Sequence, residues 1–365
     1  MNPLAIVHTE SSLGWGGQEI RILSEAQGFI RRGHNVKLLC PPQARIFGEA
    51  AAWGVPAVAL PIGRKRPSAL KALLAWLQQN RPHVVSSHSS TDTWLAALAL
   101  LVLGRPCPLV RTRHISAPVP RNALSRWLYT RATARIVTAG EALKKELIER
   151  NGFPPQRIDS VPTGIDVRRY QPGDKAAARA ALKLPQDMKL VGIVATLRSW
   201  KGHRFLVEAV AGLPQSVGLV IVGDGPQREA LEALIDREGM RTRTWLAGNQ
   251  RDVLPWLHAL DAFALPSYAN EGVPQALVQA MLTGLACVTT QAGSIAEVAL
   301  PGATALVVPP QDAQALRSAL ARLLEDEVLA KRLGDAARAH CSEHFSYEMM
   351  LDKMEMIYRQ VSGRR

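Results

Sequence analysis

Residues 268–282 read YANEGVPQALVQAML, with a carboxylate, Glu271, on a glycine-containing turn and an amide, Gln279, eight residues further into a helix-like run. Pro274 suits the first turn of that helix. A carboxylate at a helix start can simply stabilise the helix dipole, but Ser267 and Asn270 already offer local caps. A carboxylate outside the helix start can instead accept from sugar hydroxyls. The free amides of Gly272, Val273 and Gln275 are left to meet phosphate or sugar oxygens.

Four more loops bear on the same chemistry. VATLRSWKGHRFLVEAV (194–210) sets Arg198 and Lys201 three apart before Gly202 opens a helix. Two cations at a strand-to-helix turn suit a diphosphate, because dipole and side chains both favour negative charge. SSLGWGGQEI (11–20) follows the first strand, and Gly14, Gly16 and Gly17 let the backbone approach an anion closely. LVRTRHISAPVP (109–120) leaves His114 at the end of a strand, and the flanking Arg111 and Arg113 favour an anionic neighbour. VIVGDGPQREALEAL (220–234) has Gly223 and Gly225 before a helix that Asp224 can cap, a structural reading.

Positioning such loops requires a regular alternation of strands and helices, and the chain has one. Short β-rich runs at 4–9, 35–40, 57–61, 83–88, 109–113, 136–139 and 158–161 are separated by helical stretches such as 18–32 and 124–132. A second set follows at 190–196, 218–223, 244–247, 262–266, 286–290 and 305–308. Strand–helix alternation implies parallel sheets wound with helices on both faces, with ligands at the strand C-termini. The 365 residues exceed a usual single core. The aperiodic stretch 161–174 marks a joint between 1–165 and 166–345, and a last helix in 346–365 is expected to pack back on the first domain. The two domains are expected to face each other across a cleft.

Composition narrows the class. Four cysteines, Cys40, Cys107, Cys287 and Cys341, form no pair with metal-ligand or redox spacing, as in a reduced cytosolic protein. The N-terminus has no basic start and turns polar after five apolar residues, which does not read as a signal peptide. The longest apolar run, ten residues, is too short to span a bilayer, which takes about 20. Charge is concentrated in one region. Between Glu49 and Glu141 lie twelve Lys and Arg against one acid, Asp92, which accounts for +11 of the chain's net +13. Such a face attracts an anionic lipid surface, a phosphorylated substrate or a nucleic acid.

Taken in order, GWGGQE, TRH, LRSWKGH, VGDGP, LPSYANEG.P and AGSIAEV resemble the retaining GT-B glycosyltransferases of family 4, a group that includes lipopolysaccharide-core enzymes. The resemblance covers essentially the whole chain. It implies a GT-B fold of two Rossmann-like domains, an acceptor-side N-terminal one and a nucleotide-sugar-binding C-terminal one. It implies catalytic roles for His114 and Glu271, and diphosphate contacts from Gly16, Gly17, Arg198 and Lys201. Donor sugar and nucleotide would be met by Gly272, Val273, Gln275 and Gln279, and by Arg251 and Asp252, where the base is also sought. The family pattern is Glu-x7-Glu. Gln279 replaces its second member, which binds the ribose diol, and an amide can still accept one proton and donate another.

The resemblance further implies a nucleotide-sugar donor, a UDP-sugar being the expected one, and a saccharide or lipid-linked, phosphorylated acceptor. With no Asp-x-Asp in the chain, cations replace a divalent metal and no cofactor is expected. An envelope-glycan role would place the protein in the cytoplasm, peripheral at the inner face of the membrane. Two segments fit docking on anionic lipid: 63–82, through Leu70, Leu73, Leu74 and Leu77 beside Arg64, Lys65 and Arg66, and 120–135, through Leu124, Trp127 and Leu128 among four arginines; both apolar faces fit packing on the sheet equally well, which would leave the arginines as a patch. The rival classes are a nucleotide-sugar epimerase, a non-catalytic nucleotide-sugar binder, and a nucleic-acid binder. The last is disfavoured because no nucleic-acid motif accompanies the basic window.

Overall fold

The computed structural model describes residues 2–114, 118–269 and 271–363. The chain forms two compact units, Met1–Thr163 with Glu348–Arg365, and Gly164–Tyr347.

Unit 1 is a seven-stranded parallel sheet of β1 (Ala5–Thr9), β2 (Asn35–Cys40), β3 (Ala57–Ala59), β4 (Val84–Ser87), β5 (Leu109–Arg113), β6 (Arg135–Thr138) and β7 (Ile158–Ser160). Their order is β3-β2-β1-β4-β5-β6-β7. The central strands are buried along their length, as expected of a parallel sheet covered on both faces. One face packs Val85, Leu109 and Ile136 against the helices Pro67–Asn80 and Ser90–Val102 and against Tyr129 and Phe153. On the other face, the hydroxyl of Tyr358, on the C-terminal helix Tyr347–Ser362, donates to Glu25 (2.7 Å) and lies 3.0 Å from the Ser86 hydroxyl, which can donate to it. Glu25 belongs to the helix Gly17–Arg31. Arg32 clamps the same C-terminal helix through Glu348, Asp352 and Glu355.

This packing corrects the first docking segment. Leu73 and Leu77 are buried in the core, and Leu70, Leu74 and Trp76 pack against it. Withdrawing either buried leucine would leave a cavity costing about 2–5 kcal/mol, so that leucine face belongs to the sheet. The second segment is a short helix, Ala123–Trp127, capped by Asn122, followed by a π-turn, Leu128–Ala132. Leu128 is buried and Trp127 stacks on Trp94, while Leu124 stays exposed.

Unit 2 is a six-stranded parallel sheet of β8 (Lys189–Val194), β9 (Val217–Val222), β10 (Thr244–Gly248), β11 (Ala262–Leu265), β12 (Ala286–Thr289) and β13 (Leu306–Val307), ordered β10-β9-β8-β11-β12-β13. Its amphipathic helices Ala313–Glu325 and Glu327–His344 begin at Asp312 and Asp326, whose carboxylates accept from the amides of Ala315 and Leu329, both at 2.8 Å. The first strand of each sheet starts in the middle and the chain winds outward both ways. This makes a topological switch point, between β1 and β4 in unit 1 and between β8 and β11 in unit 2. In open α/β sheets that is where ligands bind.

Candidate active site

In unit 2 the loops after β8 and β11 interlock. A β-carbon on Gly202 (φ +76°) would lie 2.1 Å from the Pro266 carbonyl oxygen, and the Tyr268 amide donates to the Trp200 carbonyl at 2.9 Å. Lys201, held by this contact, places its Nζ 2.7 Å from Oε1 of Glu271. Glu271 is only 5% exposed. A third loop pins it from behind: Ser294 donates its amide to the Glu271 carbonyl, and a β-carbon on Gly293 (φ +57°) would lie 2.1 Å from that oxygen. Glu271 therefore pairs with Lys201 across the switch point and does not cap a helix.

Pro274 is the N-cap of the helix Gln275–Leu282, one position before the first turn where the sequence places it, and no side chain caps that end. Ser267 is not a cap either, since its Oγ is buried without a partner among the described residues, and Asn270 lies outside them. The amides of Gly272 and Val273 donate to no described residue. Gln279 donates through Nε2 to the hydroxyl of Tyr170 at 3.1 Å, and burial pushes that phenol up to about 12. Arg198 is exposed beside Trp200. Arg251 is exposed, and the neighbouring Asp252 is held by Arg169 (2.9 Å) and the Leu254 amide (3.0 Å). Asp224 accepts from the Gly225 amide at 2.8 Å; the helix Arg228–Arg237 starts later without a side-chain cap, which corrects the capping role. Three buried polar groups here lack partners among the described residues: Ser267 Oγ, Ser294 Oγ and the ring of His203, which burial and then Lys201 push down to about 3.

Unit 1 assembles a different group. Strands β1, β4 and β5 are neighbours, so their C-terminal ends bring together residues 80 and 26 positions apart. His8 Nδ1 lies 3.0 Å from His88 Nε2, and His88 Nδ1 lies 3.0 Å from His114 Nε2. Asp92 accepts from the amides of His88 and Ser89 and the hydroxyls of Thr9 and Ser11. Glu10 accepts from Ser89, Gln18 and the Ser12 amide. Burial, with Asp92 beside it, pushes Glu10 up to about 8, and burial pushes Asp92 up to about 6.

Gly16, whose carbonyl accepts the Ile20 amide, and Gly17 open the helix Gly17–Arg31 next to this cluster. Arg111 and Arg113 point into the sheet's face, both over Tyr129. Sequence reading singles out His114 and passes over His8, His88 and Glu10. The usable signal is that all stand at or just past strand ends, and it becomes decisive only once the strand order is known. No group of three or more His, Cys, Asp or Glu placed to hold a metal ion occurs among the described residues.

Known families match both halves of the chain. The model for Glycosyltransferase Family 4 matches residues 15–169, and that for Glycosyl transferases group 1 matches residues 174–340. The chain belongs to the GT-B glycosyltransferases. A curated relative, D-inositol 3-phosphate glycosyltransferase of Xylanimonas cellulosilytica, is 28% identical over 394 residues, covering 96% of this glycosyltransferase and 93% of the relative. HepE of Anabaena, solved in complex with UDP-glucose, matches with a TM-score of 0.88 at 20% identity over 98% of this chain and 100% of its own. WaaG, a glycosyltransferase involved in lipopolysaccharide biosynthesis, matches with a TM-score of 0.74 at 17% identity over 98% and 100%.

Proposed function

We propose that this glycosyltransferase moves a sugar from a UDP-sugar to a phosphorylated saccharide or lipid-linked acceptor, with retention of configuration and without a divalent metal, in envelope-glycan synthesis at the inner face of the cytoplasmic membrane. The observation that carries the reading is the Lys201–Glu271 pair across the switch point of unit 2, set just before the Gly272 and Val273 amides, which donate to no described residue. A donor diphosphate draws Lys201 and Arg198 to its oxygens and takes the amides of Gly272 and Val273. Glu271, released from Lys201, accepts from hydroxyls of the transferred sugar. As the sugar–phosphate bond breaks, Lys201 and Arg198 neutralise the charge that grows on the leaving diphosphate, the role a metal ion plays elsewhere. Gln279 and Tyr170 meet the ribose, and Arg251 and Asp252 border the nucleotide. The carboxylate of Asp252, where the base is sought, is paired with Arg169. His114 hydrogen-bonds the transferred sugar, and Gly16 and Gly17 meet phosphate or acceptor oxygens.

HepE, of the same fold, holds UDP-glucose, so UDP is the nucleotide to try first. The relatives that act on D-inositol 3-phosphate favour a second acceptor class, a soluble phosphorylated polyol. Membrane docking rests on the exposed Leu98, Leu101, Val102 and Leu124 around the Trp94–Trp127 stack, with Arg105, Arg121, Arg126 and Arg131 exposed nearby.

One reaction series tests the proposal. Purified protein is given UDP-sugars with lipid-linked or soluble phosphorylated acceptors, in excess EDTA, and the product's anomeric configuration is read by NMR. The expected result is acceptor-dependent UDP release that persists in EDTA and yields the donor's own anomeric configuration. Interconversion of the donor sugar without acceptor supports an epimerase instead. Sedimentation with vesicles that ignores anionic lipid content leaves the soluble acceptor as the better reading.

A further inference from the structure

We propose that Glu19 recognises the acceptor: its carboxylate accepts a hydrogen bond from a hydroxyl of the acceptor's sugar or polyol, and the Gly16 amide donates to the same hydroxyl. The inference rests on the reading above, in which the Gly16–Gly17 turn meets the acceptor, and adds which group it meets.

Five acids are buried among the described residues: Glu10, Glu19, Glu25, Asp92 and Glu271. Four of them have partners. Glu10 accepts from the Ser12 amide, Gln18 and Ser89, and Asp92 from two amides and two hydroxyls. Glu25 accepts from Tyr358 at 2.7 Å and lies 3.7 Å from Arg21, and Glu271 pairs with Lys201 at 2.7 Å. Glu19, 5% exposed, has neither a hydrogen bond nor an ion pair with any described residue. A carboxylate taken out of water without a donor destabilises the fold, and no described side chain offsets that here.

The place of Glu19 in its helix does not account for the burial. It is the third residue of Gly17–Arg31, where an acid favours the dipole and can reach back to the N-cap amide. The dipole acts on a solvated carboxylate as well, and the reach-back bond is not made: the Gly16 amide donates to no described residue. Glu19 Oε2 nonetheless lies against the turn, 3.9 Å from where a β-carbon on Gly16 would stand. Glu25 Oε2 is sealed from solvent, whereas the Glu19 oxygens are not.

An unclaimed acceptor and an unclaimed donor therefore meet at Gly16. A phosphate oxygen only accepts and is repelled by a carboxylate, and an ammonium only donates. A hydroxyl does both. The backbone that presents the two groups is tied at both ends. Glu10 accepts from the Ser12 amide (2.7 Å) on one side and from Gln18, next to Glu19, on the other, and Gln18 also donates to Ser89 at 2.9 Å.

The test uses the full-length protein with UDP-glucose as donor and D-inositol 3-phosphate as acceptor, and reads UDP release. Glu19→Ala should raise acceptor KM roughly 10- to 100-fold, the size of a lost hydrogen bond to a charged group, while UDP-glucose hydrolysis without acceptor stays within about twofold. Glu19→Gln keeps an acceptor oxygen without the charge and should fall between. In denaturant, Glu19→Gln should keep the wild-type unfolding midpoint or raise it, since it removes a buried charge and no bond. An unchanged acceptor KM in Glu19→Ala overturns the proposal, and so does acceptor-free hydrolysis that falls as far as transfer does. A lowered midpoint in Glu19→Gln overturns it without any acceptor, because it makes Glu19 a structural acid. If the wild type releases no UDP from UDP-glucose with or without acceptor, the functional reading fails, and the midpoint alone judges Glu19.

Discussion

At the switch point of unit 2 the nearest side chains are a cation and an anion, Lys201 and Glu271, 2.7 Å apart. At that of unit 1 they are imidazoles held neutral by burial and two carboxyls, Glu10 and Asp92, held toward the protonated form. The backbone differs in the same sense. Three loops of unit 2 meet at glycines where a β-carbon would fall about 2 Å from a carbonyl oxygen, at Gly202, Gly223 and Gly293. In the glycine loop of unit 1, Gly16 has an extended φ of −177° and its β-carbon would come no closer than 3.9 Å to Glu19. Unit 2 thus fixes its charged pair through backbone contact. Unit 1 fixes its polar groups through one another.

The contrast is broken most readily at Lys201. Lys201→Ala should lower kcat by about 100-fold or more, the loss of about 3 kcal/mol expected for a group that stabilises charge only as it develops. Glu10→Gln in unit 1 should lower it by less than about tenfold, since a neutral amide resembles the protonated carboxyl. Equal losses in steady-state assays would mean that unit 1 also supplies charge.

Next in size is the backbone. Gly293→Ala should destabilise by about 2–4 kcal/mol in denaturant unfolding, because it adds strain at positive φ to a clash with the Glu271 carbonyl. Gly16→Ala should change stability by less than about 1 kcal/mol, in either direction. A tolerated Gly293→Ala would show that the loops of unit 2 are looser than their contacts imply.

A smaller effect is set by pH. Glu10 binds its proton more tightly folded, at about 8, than its usual 4.5. Its contribution to stability is thus fully present below about 4.5 and is lost as pH rises through 8. The stability of Glu10→Gln relative to wild type should therefore rise between pH 5 and 8, by at most about 1.4 kcal/mol per pH unit. A flat difference in unfolding free energy would place the Glu10 carboxyl near its ordinary range.

The smallest effect concerns Gln279. Its one neutral hydrogen bond to Tyr170 is worth about 1 kcal/mol, so Gln279→Ala should raise donor KM by about fivefold with kcat unchanged. Gln279→Glu should leave KM equal or lower, through a carboxylate on the ribose diol. A silent Gln279→Ala would mean that the side chain only props Tyr170.

Much of this was readable along the chain, and the reason is locality. β2 and β5 coincide with their expected spans, and the other strands lie within about two residues of theirs at either end. A fully buried parallel strand is a short apolar run bounded by turn formers, and each run records its own burial. The loops were legible for the same cause: His114 follows directly on its strand, and Arg198, Lys201 and Glu271 lie in the loops after theirs. Errors arose where a local rule met a tertiary competitor. Asp224 had the composition of a cap, but its carboxylate turned to the next amide. The leucines of Pro67–Asn80 fitted a membrane face and a sheet face equally, and packing chose the sheet.

By itself, then, the sequence determined the alternation of strands and helices, the two-domain plan, and which residue types stand at the strand ends. Tertiary structure decided which of those ends are neighbours. The order β1-β4-β5 joins His8, His88 and His114 into one chain, and the order β8-β11 sets Lys201 against Glu271. Tyr170 likewise meets Gln279 from 109 positions away. Helical and strand periods are written in nearest neighbours, whereas pairing between strands is chosen by the burial of the whole sheet, a global sum that no single segment carries.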